Sequence, residues 1–104
     1  MLFRDRSYLN RMACITAIIA LAEEFDNDSV AKHLLPIFEA LSKDTAPNVR
    51  FSIAQKVELL QLRLSHQQFE KSVIPIIESL MKEDPDPDVV YYAELAHAAV
   101  QAAH

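Results

Sequence analysis

The stretch DPDPD, residues 84–88, carries the strongest chemical signal in the sequence, because three aspartates alternate with two prolines. Alternating Asp is how the calcium loop of an EF-hand begins. That loop needs Gly at its sixth position and a bidentate Glu at its twelfth; counted from Asp84, these positions hold Val89 and Leu95. An aspartyl nucleophile would need a strand end and a phosphate cradle, which prolines between helices do not provide. The stretch therefore predicts a solvated turn with helix N-caps.

The remaining chemically active residue types are dispersed. His33, His66, His97 and His104 include no pair four residues apart, so none forms an HExxH zinc face. Cys14 lies in an apolar run with no activating neighbour in sequence, which is typical of a small buried hydrophobe. A Ser-His-Asp triad assembles from distant positions, but a chain without Gly has no residue for a nucleophile elbow. We expect a non-catalytic protein with no metal and no cofactor.

Composition restricts the class of protein further. The chain has 104 residues, room for one domain, and it is rich in strong helix formers. Its net charge is −5 and its basic residues are scattered, so neither nucleic acid nor an anionic membrane is an expected partner. The longest apolar run, ACITAIIALA, has ten residues, too few to span a bilayer. A lone cysteine suits a reducing compartment, the cytoplasm with the nucleus as a second location.

Five segments show apolar residues at helical spacing, separated by short breaks. We predict helices over 7–25, 29–43, 48–64, 66–83 and 88–103. Breaks this short make successive helices antiparallel neighbours. The expected N-caps are Asp28 or Ser29, Asn48, Ser65 and Asp88.

The sequence repeats itself. LLPIFEALSK aligns with VIPIIESLMK at a spacing of 39 residues, which places Pro36 on Pro75. After the turn the spacing becomes 40, and Val49 falls on Val89. The segment 7–25 matches the helix 48–64, so it is the second half of a further repeat. A helix pair recurring at this period predicts an all-α fold, an α-solenoid of HEAT repeats with about two and a half repeats and five helices.

Three stretches closely resemble the end of the scaffold (A) subunit of protein phosphatase type 2A. They are YLNRM, KHLLPIFEALSKDTAPNVRFSIAQKV and SVIPIIESLMKEDPDPDVVYYAELA, and the resemblance runs from about Tyr8 to Ala103. It implies a single HEAT-repeat domain over 1–104. Within it, 7–25 is the second helix of a truncated repeat, 29–64 a full repeat and 66–103 the C-terminal repeat. The last repeat departs from the family pattern, with Val90 where Arg or Lys is usual.

The resemblance also implies a function. Family members grip the phosphatase catalytic subunit with the turns inside each repeat, and regulatory subunits bind repeats that lie upstream of this region. The matching partner-binding positions in this sequence are Tyr8, Arg11, Asp44, Thr45, Pro47, Asn48, Asp84, Asp86, Asp88 and Tyr91. The expected role is a scaffold that positions an enzyme and performs no chemistry itself. Two alternatives stay open: a generic HEAT-repeat adaptor for an unrelated protein along its inner helices, and a small helical enzyme or metal binder.

Two structural expectations also follow from the sequence. In stacked HEAT repeats, an Asp and an Arg in the positions of Asp44 and Arg50 link neighbouring turns, the Asp reaching the Arg of the adjacent repeat. As a partly exposed ion pair this would contribute a few tenths to about 1 kcal/mol. In the first helix one stripe contains Leu9, Met12, Ile15, Ile19 and Ala22, and Ile18 and Leu21 make the other side apolar. We therefore expect an uncovered apolar face there, so that the chain is either a piece of a longer one or self-associates through this face.

Overall fold

The computed structural model describes the backbone of residues 6–103 and the side chains of residues 9–102. Over that range it contains five helices and no strand, which confirms the all-α prediction. They are α1 (Arg6–Ala22), α2 (27–41), α3 (47–63), α4 (66–83) and α5 (Pro87–Ala103). Every boundary lies within three residues of its predicted position.

The helices stack in two layers. In one layer α3 packs between α1 and α5. The other layer contains α2, which packs against α1 and α3, and α4, which packs against α3 and α5. At the centre of the stack, positions one repeat apart can have the same burial: Val49 and Val89 are fully buried, as are Phe38 and Ile77. The molecule is a flat slab, 40 × 28 × 16 Å. The sequence repeat is therefore also a repeat of packing.

The prolines of α2 and α4 are accommodated by a local widening of each helix. Residues Val30–Leu34 and Phe69–Val73 form π-helical turns that end two residues before Pro36 and Pro75. The amide of Leu35 donates to the carbonyl of Val30, five residues earlier, and Ile74 does the same to Phe69. A proline ring clashes with the carbonyl four residues before it, and the wider turn removes that carbonyl from the usual helical ladder. Both helices continue beyond the proline.

Three of the four predicted N-cap positions are wrong. The cap of α2 is Asp26, whose side chain accepts from the Ser29 amide at 2.7 Å, and neither Asp28 nor Ser29 has this role. Pro47 and Pro87 each occupy the first helical position, so the caps fall one residue before them, on Ala46 and Asp86. Proline prefers that position because it has no amide hydrogen to satisfy. Asn48 and Asp88 consequently lie one position inside their helices.

The Ser65 cap is confirmed. Its hydroxyl accepts from the Gln68 amide at 3.1 Å, while the Gln68 side chain accepts from the Ser65 amide at 3.0 Å. This is a reciprocal capping box. Chain reversals use extended residues such as Ala46 and Asp84, and no described residue has a positive φ. The described turns therefore need no glycine.

The predicted apolar stripes hold for the inner helices and fail at the two ends. The apolar stripes of α3 and α4 are buried; they include Val49, Ile53, Val57, Phe69, Val73 and Ile77. In α1, however, Leu9 is exposed while Ile18 is buried, and Ile37 of α2 is exposed. In α5, Ala93 is buried while Ala99, which has the same residue type and also lies on the last helix, is exposed. An end helix has a neighbour on one side only, so a stripe that is apolar in sequence need not be covered.

The Asp26 cap makes stability depend on pH. Hydrogen bonds from Ser29, the largest from its backbone amide, lower the pKa of Asp26 below the ordinary value of 3.8. A carboxylate with a lowered native pKa stabilises the fold above the unfolded pKa, and this contribution is lost as the pH falls through the native pKa. We expect Asp26→Ala to lower the free energy of unfolding at pH 7 and to change it less at pH 3. Urea unfolding at both pH values measures this; Glu58→Ala, an exposed carboxylate without a capping role, is the control. An Asp26→Ala effect of equal size at both pH values would contradict the assignment.

Candidate protein-binding ridge

The two turns inside the repeats are built alike and lie along one edge of the molecule. In the first, Asp44 Oδ1 accepts from the Ala46 amide at 2.9 Å. In the second, Asp84 Oδ1 accepts from the Asp86 amide, also at 2.9 Å. Each Asp therefore closes its own turn with one oxygen and leaves the second oxygen for another partner. We call residues 43–48 and 84–88, with the starts of α3 and α5, the turn ridge.

The second carboxylate oxygen of each Asp binds an arginine of the preceding repeat. Arg11 Nε lies 2.5 Å from Asp44 Oδ2. Arg50 binds Asp84 through two nitrogens, with Nε 2.6 Å from Oδ2 and Nη2 3.2 Å from Oδ1. The structure thus confirms that the Asp of one turn reaches the Arg of the adjacent repeat.

Arg50 also holds the turn of its own repeat. Its Nη1 donates to the carbonyl of Asp44 at 2.7 Å and to that of Thr45 at 3.2 Å. One guanidinium therefore joins the backbone of the first turn to the carboxylate of the second. The planar, five-donor geometry of Arg allows this double use, whereas the single ammonium of Lys does not reproduce it.

The two ion pairs differ in burial. The Arg11 and Asp44 side chains are 29% and 9% exposed, which is near the partial exposure expected from sequence. Those of Arg50 and Asp84 are 12% and 4% exposed. Removing one partner of a well-buried pair leaves the other charge desolvated. The expected contribution of up to about 1 kcal/mol therefore suits the first pair and underestimates the loss on breaking the second.

A cleft of about 200 Å³ lies between the two turns. Its lining includes Pro47, Asn48 and Asp88, which are exposed. Asp86 borders it too, but its Oδ1 accepts from the amides of Asp88 at 2.9 Å and Val89 at 3.3 Å. The cleft combines carboxylates with the ring of Phe51, so it offers a partner both charge and apolar contact.

An aromatic cluster supports the cleft from α5. The Tyr92 ring packs edge-on against Phe51, with centroids 4.7 Å apart and an interplanar angle of 65°. Tyr91 packs at right angles to Tyr92, with centroids 5.2 Å apart, and remains 55% exposed. Such pairs fix ring orientation. The predicted site omitted Phe51 and Tyr92, although Phe51 matches Tyr91 across the repeat and lies one turn after Asn48.

The ten predicted partner-binding residues thus divide into three groups. Arg11, Asp44 and Asp84 make the ion pairs between repeats, and Thr45 contributes a carbonyl to Arg50. The cleft collects Pro47, Asn48, Asp86 and Asp88, with Tyr91 beside its aromatic wall. The side chain of Tyr8 lies outside the described residues.

Other features of the described chain do not suggest chemistry. Within residues 6–103, no three His, Cys, Asp or Glu side chains are grouped in a way that could hold a metal ion. In that same range no helix is long and apolar enough to cross a membrane. A groove of about 300 Å³ runs between α2 and α4, bordered by the two π-turn prolines, Pro36 and Pro75.

Comparison with known proteins confirms the resemblance. No protein-family model matches the chain. It is 26% identical, over 91% of its length, to the regulatory A subunit of protein phosphatase PP2A from Saccharomyces cerevisiae, of which it spans 16%. It is 38% identical, over 53% of its length, to the protein of the same name from Schizosaccharomyces pombe, of which it spans 9%. The chain is thus similar to the PP2A regulatory A subunit over less than a fifth of either relative, and its fold is an α-solenoid of HEAT repeats.

The difference in burial between the ion pairs predicts unequal effects on stability. We expect Arg50→Ala to lower the free energy of unfolding by roughly 2–3 kcal/mol, because it removes charged hydrogen bonds and leaves Asp84 desolvated. Arg11→Ala, which removes the more exposed pair, should cost at most about 1 kcal/mol. Urea unfolding measures both.

Amide exchange locates the effect. Arg50→Ala should speed exchange across residues 40–60 more than it changes total helicity, since the pair joins two turns. Arg63→Ala, on the same helix away from the ridge, serves as the control. Unchanged or slower exchange across 40–60 would show that the pair does not hold the turns in register.

Proposed function

We propose that this chain is a non-catalytic scaffold module that uses the turn ridge to hold the catalytic subunit of a type 2A serine/threonine phosphatase. Similarity to proteins named as the regulatory A subunit of PP2A supports the phosphatase context. The structural observation that carries the proposal is the pairing of the turns. Arg50 fixes the two turns relative to each other, while the cleft between them stays open.

The contacts assign different tasks to the predicted site residues. Arg11, Asp44 and Asp84 use their charges to hold the ridge together, so they present the site without supplying its free surface. Asn48, Asp88 and Tyr91 are exposed beside the cleft and are the side chains that a partner would touch. Because the exposed charge at the cleft is negative, the surface opposite it in the partner should be basic.

A rigid ridge suits a scaffold. Ordering loops on binding costs free energy, and turns that are already tied by hydrogen bonds reduce that cost. We propose that 29–64 and 66–103 are complete repeats and that 7–25 is the second helix of another, all in one domain. The module acts in the cytoplasm or nucleus and contributes position, not chemistry, to the phosphatase.

One observation favours a second function, an adaptor for an unrelated protein along the second helices of the repeats. On α3, Leu59 and Leu62 are exposed, and Leu62 is 83% exposed. Exposed leucines of this kind mark interaction surfaces when they are grouped. They lie near the end of α3, away from the turn that begins it, so mutations separate the two binding modes.

The experiment is direct binding of the folded chain to the purified catalytic subunit of a type 2A phosphatase. We expect Asn48→Ala and Tyr91→Ala each to raise the dissociation constant about tenfold or more, as for the central residues of an interface. Gln67→Ala and Leu62→Ala, both at exposed positions away from the ridge, should leave it unchanged. Binding measured by calorimetry or surface plasmon resonance gives the comparison.

Two results would contradict the proposal. If the ridge variants bind like wild type while Leu62→Ala loses binding, the second helices form the interface. If the folded chain shows no binding to the catalytic subunit, even with the upstream repeats of a relative fused to it, the phosphatase assignment is wrong.

A further inference from the structure

The groove between α2 and α4 has an apolar floor with a proline on each side. Leu35 and Ile76 line the groove and are buried, so they form its floor. Pro36 borders it from α2 and Pro75 from α4, and both prolines are exposed. Both walls are neighbouring helices of the described chain, so the groove is a property of the stack itself and not of either end.

A carbonyl group in one wall of the groove lacks a helical donor. In an α-helix the amide of Leu35 would donate to the carbonyl of Ala31, but it donates to Val30 instead. In a π-helix the donor would be Pro36, which has no N–H. Neither helix type therefore supplies a hydrogen bond to the Ala31 carbonyl, and Ala31 lines the groove. Because backbone carbonyls are strong acceptors, this one is available to a donor from outside the helix.

The same arrangement recurs on α4 but lies beside a different pocket. Ile74 donates to Phe69 and the next residue is proline, so the Glu70 carbonyl also lacks both helical donors. Glu70 lies with His66 and Gln67 in a separate pocket. Single π-helical turns inside α-helices are frequent at functional sites. The α2 carbonyl therefore belongs to the groove, and the α4 carbonyl provides a comparison.

Opposite charges lie towards the two ends of the groove. Lys71 lines it on α4, at the repeat position of Lys32, and Glu39 lines it on α2, seven residues further along. At 1.5 Å per residue, these levels are about 10 Å apart along the helices, which is the length of about three extended residues. A partner with an acidic group near Lys71 and a basic group near Glu39 is therefore complementary to the groove.

We propose that the groove binds an extended segment of a partner protein, with an acidic residue at the Lys71 end, apolar residues between the two prolines and a basic residue at the Glu39 end. A backbone amide of the segment donates to the Ala31 carbonyl. Amides along the side of a helix are already bonded within that helix, whereas those of an extended segment are free, so the acceptor favours an extended partner. The inference goes beyond the proposed function, because the groove lies between α2 and α4 and not on the turn ridge.

The first test is an NMR titration of the isotope-labelled full chain with blocked synthetic peptides. Glu-Val-Leu-Val-Lys and Lys-Val-Leu-Val-Glu sample both chain directions, and Gln-Val-Leu-Val-Gln is the uncharged control. We expect saturable shifts at the groove, with at least one charged peptide binding about three- to tenfold more tightly than the control, as two exposed ion pairs would give. Charged peptides that cause no shifts at the groove, or that bind no better than the control, overturn the proposal.

A charge reversal tests one end of the groove. Glu39→Lys should weaken binding of the better charged peptide about threefold or more, because it replaces an attraction with a repulsion. Glu58→Lys makes the same change at an exposed position of α3 and should leave binding unchanged. Equal effects of the two variants would show that the peptide responds only to net charge, which overturns the site.

Pro36→Ala tests the free carbonyl. It supplies an amide hydrogen, which lets the π turn return to α-helix and pairs the Ala31 carbonyl. The fold should become more resistant to urea, while peptide binding weakens about fivefold through the loss of one hydrogen bond. Pro75→Ala is the matched control, since it removes a ring from the other wall but pairs the Glu70 carbonyl, and it should weaken binding less. Equal losses would overturn the role of the carbonyl; circular dichroism checks that each variant is folded.

Discussion

Arg50 is the constraint on which the geometry of the two full repeats depends. It binds the carbonyls of one turn and the carboxylate of the next, so neither turn can shift without breaking charged hydrogen bonds. A buried ion pair adds little net stability, because desolvation offsets most of the attraction. Apolar burial supplies the stability, and a sliding helix pair would retain part of it. The ion pairs make one register of stacking more stable than the registers that would be reached by sliding one helix pair along the other.

The prolines impose a second constraint that agrees with the first. Pro36 and Pro75 follow π-helical turns at equivalent places in α2 and α4, so these two helices have the same local shape. Pro47 and Pro87 fix the first residues of α3 and α5, so both turns enter their helices alike. Because successive repeats have the same shape, the same Arg–Asp ion pair can form between each repeat and the next. In these turns proline therefore fixes the backbone conformation, a role that glycine has in the turns of many other folds.

Much of this fold follows from the sequence. Helix limits were predictable to within three residues because short polar breaks interrupt strong apolar periodicity. The buried stripes of α3 and α4 were predictable because both helices have neighbours, whereas Leu9 and Ile37 at the end of the stack have none. The caps of α3 and α5 were missed because Asn48 and Asp88 are good caps by residue type. Proline at the first helical position overrode that preference.

The sequence predicted which repeats the Arg–Asp ion pairs of the candidate site join, but it did not predict how deeply each pair is buried. A spacing of 39 residues from Arg11 to Arg50 indicates which repeats meet, but not that Asp84 is almost fully buried while Arg11 keeps contact with water. The burial of each pair depends on how the chain packs around it in three dimensions, which the spacing of the residues does not specify.

The ion pairs also give the stack a direction. Each pair joins an Arg to the Asp of the repeat that follows, and Val90 ends the series because it offers no charge to a further turn. One end of the molecule also carries Glu94 and Glu70 where the interior has Ala54 and Ala31, and the other end carries exposed apolar side chains such as Leu21 and Ile37. The turn ridge lies between these ends and is common to both repeats. Binding along the ridge and binding in the groove between α2 and α4 thus use separate surfaces, although the same stacking order positions both.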